Sequence, residues 1–176
     1  MCKPLDDCTL FLSIFPSRRG LAFAFFDGAW TPLDWGYHRA DGDKNVSAIE
    51  FVKAFIQNYK PEILLLPDPT AISARHGKRV SDLLVQLEVL GNMTGIHTVK
   101  YSREHIQECF EQFGASTRYE IADAISKNLP EMTPQLPPQR KPWLPENGRM
   151  RIFDAVSLIF THIFFMAIKP NTKNGK

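Results

Sequence analysis

Arg75, His76, Lys78 and Arg79 put four basic side chains into five residues, where a Pro-containing loop gives way to a helical pattern. Amides at a helix start, together with Lys and Arg, form a seat for phosphate, so the cluster reads either as a nucleic-acid contact or as a charged loop kept soluble by its lysines. Arg18 and Arg19 in an early turn, Arg118 ahead of a later helix, and Arg140, Lys141, Arg149 and Arg151 around the last helix extend the same chemistry. The acids are more scattered. Arg151 and Asp154 stand one helical turn apart, which predicts an ion pair between them. Glu120 and Asp123 repeat that spacing as two acids, a pattern that ordinarily marks a solvated face. Asp68 is followed by Pro69, and turn formation is its ordinary use there.

Other chemistries find no footing. Cys2, Cys8 and Cys109 are too few and too dispersed for a disulfide framework or a zinc site, and no two histidines stand in a His-x-x-x-His pair. No Gly-x-Ser-x-Gly elbow marks a serine nucleophile. With 21 Lys and Arg against 19 Asp and Glu, the net charge of +2 selects no partner by itself. Asp6 and Asp7 precede a short apolar stretch, unlike the basic start of a secretory signal. The run from Ile152 to Ile168 is interrupted by Asp154, Ser157, Thr161 and His162, which predicts a buried helix rather than a membrane span. A reduced, cytoplasmic setting without a membrane partner fits these features.

The elements that must hold these residues follow from periodicity. Thr9 to Phe15 and Leu21 to Phe26 are β-rich runs joined by a tight turn, and Asp27-Gly28 leads into a third strand from Trp30 to Tyr37, placed near an edge by Pro32. Asn45 or Ser47 is the expected cap of a helix bearing Ile49, Val52, Phe55, Ile56 and Tyr59. Ile63 to Leu66 reads as a strand covered on both faces, followed by a helix with Val80, Leu83, Leu84, Leu87 and Leu90 that ends at Gly91-Asn92. A short strand from Ile96 to Val99 precedes two helices, started by Ser102 and by Ser116 or Thr117. The Pro-rich stretch 130–147 predicts an extended loop before a last helix starting near Gly148. The whole chain, 1–176, reads as a single α/β domain with a mixed five-stranded sheet, three antiparallel strands followed by parallel ones.

That order is similar to the RNase H-like superfamily. Within it, Ser13-Ile14-Phe15-Pro16-Ser17-Arg18-Arg19-Gly20, Pro61-Glu62-Ile63-Leu64-Leu65-Leu66, Ser116-Thr117-Arg118-Tyr119 and Phe153-Asp154-Ala155-Val156-Ser157-Leu158 with Thr161-His162 resemble RuvC-type Holliday junction resolvases. The resemblance implies two Mg²⁺ ions held by a first-strand acid, a fourth-strand acid and two acids one turn apart in the last helix. Here Phe15, Pro67 and Arg151 stand at three of those positions, and Asp154 alone stays in register, with Asp68 one residue past the second. Three functions stay open. The leading one is a nucleic-acid-binding or DNA-processing accessory protein that has lost two-metal cleavage and needs no cofactor. The runner-up is a Mg²⁺-dependent endonuclease drawing on Asp68, Asp154 and either Glu120 or Asp123. The third is a protein-interaction module using the old cleft or the 130–147 loop. By analogy with RuvC relatives, an apolar face around Leu84, Leu87 and Phe110 is the expected homodimer contact.

Overall fold

Alternation along the first apolar run decides the architecture. In the computed structural model, which describes residues 9–68, 70 and 77–168, β1 (Leu10–Ser17) sends Leu12 and Ile14 to one face and Phe11, Ser13 and Phe15 to the other. Both faces are covered, so β1 is a central strand. It pairs antiparallel with β2 (Gly20–Asp27), which pairs antiparallel with β3 (Thr31–Arg39). On its other side β1 runs parallel to β4 (Ile63–Pro67), and β4 runs parallel to β5 (His97–Tyr101). The order β3-β2-β1-β4-β5 leaves β3 at an edge, where Pro32 removes no ladder bond that the sheet needs. The expected five-stranded mixed sheet is thus present.

Two helices cover the Leu12 and Ile14 face. α1 (Lys44–Tyr59) is capped by Asp43, whose carboxylate accepts from the amides of Asn45 and Val46, so the cap lies ahead of both expected residues. α2 (Lys78–Thr94) runs past Gly91 and ends at Gly95, whose φ of 74° suits a left-handed cap. Gly91 is needed for another reason: a Cβ there would lie 2.2 Å from Thr98 Oγ1 on β5. The apolar face expected for dimerisation is internal. Leu84, Leu87 and Phe110 are buried in the cores because they fill the space between helix and sheet, and the apolar side chains α2 leaves in solvent are Val85, Val89 and Met93.

The opposite face is covered by α3 (Arg103–Glu111), α4 (Arg118–Asn128) and α5 (Met150–Ile168). α3 and α4 each start with a capping box, Ser102 with His105 and Thr117 with Glu120. The stretch 130–147 is not all extended loop. Pro130–Gln135 forms a 3₁₀ turn, because Pro130 suits a helical first position and Met132 is drawn into the core. α5 is long and apolar enough to cross a membrane by length alone, yet Ile152, Phe153, Val156, Leu158 and Ile159 are buried against the sheet and its neighbouring helices. Ser13 lets it approach β1 closely, its hydroxyl donating to the Ala155 carbonyl at 2.6 Å. Further along, His162 is buried, and its Nδ1 lies 2.8 Å from the Tyr101 hydroxyl.

Candidate nucleic-acid interface

Two groups of charged residues form around the end of β1. The first lies where α5 begins. Thr117 and the capping box it shares with Glu120 fix the first turn of α4, which sets Arg118 facing α5. Its Nε donates to Asp154 Oδ1 at 2.9 Å, a second nitrogen donates to Asp154 Oδ2, and a third pairs with Glu146 in the preceding loop. Burial pushes the Asp154 carboxyl above its ordinary range, against the opposing pull of the Arg118 guanidinium. The Arg118 guanidinium is itself held more firmly charged: burial disfavours the charge, but the hydrogen bonds and charge of Asp154 and the charge of Glu146 outweigh it.

The expected partner of Asp154, Arg151, goes elsewhere. Its guanidinium lies over the Tyr37 ring, 5.3 Å from the centroid, and donates to the Tyr37 hydroxyl at 3.2 Å. Tyr37 in turn meets the Ser17 hydroxyl at 2.9 Å, tying β3 to the end of β1. The i, i+3 spacing brings Arg151 near Asp154, but Arg118 reaches both carboxylate oxygens in a fork and wins the pairing. Tyr37, Ser17 and Glu146 carried no sequence signal, since each meets its partner across a large sequence gap.

The other acids are spent locally. Asp68 Oδ1 accepts from the Thr70 amide and hydroxyl, 2.9 and 2.8 Å away. Burial alone would raise its carboxyl, but these bonds and the charges of Lys100 and His105 bring it below the ordinary value. Glu120 accepts from the amides of Ser116 and Thr117 and the Ser116 hydroxyl, bonds that hold it down to about 2. Asp123 pairs with Lys127. Among the described residues no three Asp, Glu, His or Cys side chains gather as a metal site requires. The Mg²⁺ that the resemblance implies also fails on donor chemistry. A hard dication takes oxygen ligands, and Phe15, Pro67 and Arg151 offer a phenyl ring, a prolyl ring and a guanidinium.

The second group surrounds the β1–β2 turn. Arg79 donates to the carbonyls of Ser17 (2.8 Å) and Arg18 (3.1 Å) and to Asn45 Oδ1 (2.8 Å), while Asn45 returns a bond to the Arg79 carbonyl. Lys44 adds a bond to the Arg18 carbonyl at 3.3 Å. Arg18, Arg19 and Lys78 are exposed, and Arg79 is half-buried. Arg75 and His76 lie outside the described residues.

No protein-family model and no curated protein matches this sequence. Solved structures do match its fold. RuvC of Thermus thermophilus superimposes with a TM-score of 0.66 at 12% identity, over 92% of this chain and 97% of that one. The same protein in complex with its Holliday junction substrate gives 0.67 at 12% identity, covering 92% and 96%. The yeast mitochondrial Holliday junction resolvase gives 0.65 at 10% identity, covering 98% and 85%. The chain therefore has a RuvC-like fold along almost its whole length.

Proposed function

We propose that this protein binds DNA on its RuvC-like fold and does not cut it. The observation that carries the reading is the Arg118 fork on Asp154. The one acid in register with a resolvase ligand has both oxygens engaged by a guanidinium, and the three partner positions hold Phe15, Pro67 and Arg151. A cation already sits where a metal would need free oxygens, so Asp154 serves the fold. DNA is the chosen partner because one structure of like fold, that of Thermus thermophilus RuvC, contains a Holliday junction substrate. The exposed residues Arg18 and Lys78 are the expected contacts, with Arg75 and His76 close before Lys78 in the sequence.

Purified protein incubated with four-way junctions and Mg²⁺ or Mn²⁺ should retain the junction in a gel shift and leave it uncut. Metal-dependent cleavage that Asp154→Asn abolishes would overturn the reading and restore the endonuclease alternative with Asp68 and Asp154. Arg151→Asp alone should remain inactive, since Phe15 still denies a first-strand ligand.

A further inference from the structure

The β1–β2 turn is built against local preference. Ser17 pairs with Gly20, so the chain reverses through Arg18 and Arg19 alone. Two-residue hairpin loops favour turns that place a central residue at positive φ, because those match the twist of the flanking strands. Neither Arg18 nor Arg19 has positive φ; among the described non-glycine residues only Lys60 does. The turn is held from outside instead. Arg79 and Lys44 donate to the carbonyls of residues 17 and 18, and the Ala40 amide donates to the Arg19 carbonyl at 2.9 Å. Two flanking contacts admit no slack, since a Cβ on Gly20 would stand 1.9 Å from the His38 carbonyl oxygen, and Asn45 bridges α1 to Arg79.

Cations crowd this tip. Arg18, Arg19, Arg39, Lys44, Lys78 and Arg79 come from four chain segments that these bonds bring together, and none forms an ion pair among the described residues. The acids nearest in sequence are Asp41 and Asp43, and Asp43 uses its carboxylate to cap α1. Gathering cations without ion pairs costs repulsion, which a polyanion removes.

We infer that the β1–β2 tip is a preformed clamp for the phosphates of duplex DNA, in which Arg18 and Arg19 touch the backbone and Arg79 is a positioning residue that holds their turn. This inference rests on the DNA-binding reading and assigns the contact within it. It also separates two roles inside one basic cluster: Arg79 spends its donors on carbonyls, whereas Arg18 and Arg19 keep theirs in solvent.

The test is the salt dependence of binding, read by fluorescence anisotropy of a labelled four-way junction and a labelled duplex across about 50–300 mM NaCl. Arg18→Ala with Arg19→Ala should weaken binding roughly tenfold and lower the slope of log K against log salt by about 0.9 per lost contact. Arg18→Lys with Arg19→Lys should keep the slope. Arg79→Met should weaken binding and leave the slope unchanged, and Arg79→Lys should recover part of the affinity. If the parent binds and the double alanine variant binds equally well, the clamp is wrong while the DNA reading survives. If Arg79→Met lowers the slope by about one contact, Arg79 is itself a phosphate ligand and its positioning role falls. A parent that binds neither DNA at about 50 mM salt defeats the functional reading and the clamp together.

Discussion

The start of α5 and the β1–β2 tip both collect arginines near the end of β1, but they treat the charge oppositely. At α5, Arg118 is answered by Asp154 and Glu146, and Arg151 by the face and hydroxyl of Tyr37. At the tip, six cations meet without an ion pair among the described residues, and the bonds they make go to carbonyls. A charge matched within the protein contributes to stability and has little left for a ligand. A charge left unmatched costs the fold a little and keeps its affinity for an anion. The two regions therefore use their arginines differently, the start of α5 turning them inward and the tip turning them outward.

The largest effect should come from the tip's backbone rather than its charges. Gly20→Ala drives a Cβ into the His38 carbonyl of the neighbouring strand, and we expect a loss of about 3 kcal/mol in urea unfolding. A variant as stable as the parent would mean the hairpin is looser than the geometry indicates.

Next comes the start of α5. Arg118→Ala strands the Asp154 carboxylate against the core and should cost about 2 kcal/mol, less than for a fully buried pair because the Arg118 side chain is 38% exposed. Arg118→Met combined with Asp154→Leu should recover most of that loss. If the double variant is no better than the single, the pairing is not what holds α4 to α5.

The acid limb of stability tests the cap beside that pair. Glu120 is depressed in the folded protein to about 2, from an ordinary value of 4.5, so its contribution is complete above about pH 4.5 and is lost as the pH falls toward 2. Glu120→Gln should flatten the stability profile across that window and leave neutral pH little changed. An unaltered acid limb would remove the capping box from the account. The smallest effect belongs to the exposed arginines. Arg18→Ala with Arg19→Ala should shift stability by no more than about 0.5 kcal/mol, in contrast to the roughly tenfold loss of DNA affinity expected of it.

Much of this contrast lay beyond the reach of sequence reading, and the reason is distance along the chain. Strand pairing was legible because a hairpin is local: apolar runs separated by Arg18-Arg19 and by Asp27-Gly28 have few other ways to meet, and the covered Ile63 to Leu66 run must sit inside the sheet. Element ends shifted by a few residues where several capping groups compete, as at Asp43 against Asn45 and Ser47. Side-chain partners were another matter. A spacing of three residues points Asp154 to Arg151, yet the winning partner lies 36 residues away on α4. Arg79 looked like part of a phosphate seat because its neighbours in sequence are basic, whereas its acceptors lie 61 and 62 residues earlier. The departures at Phe15, Pro67 and Arg151 could be read directly, since a side chain without an oxygen ligand needs no tertiary context to be recognised.

The close seating of α5 on β1 also bears on how the chain is made. The Ser13 hydroxyl and the Ala155 carbonyl that it holds lie 142 residues apart, so on the ribosome all five strands emerge well before the helix that covers one of their faces. At roughly 5–20 residues per second, the interval between the end of β5 and the end of α5 lasts several seconds. Throughout it, Phe11, Ala22, Ala24 and Phe26 have no α5 to lie against. Nascent chains arrested before Met150 should accordingly bind a hydrophobic dye and recruit chaperones, and both signals should fall once α5 has cleared the exit tunnel.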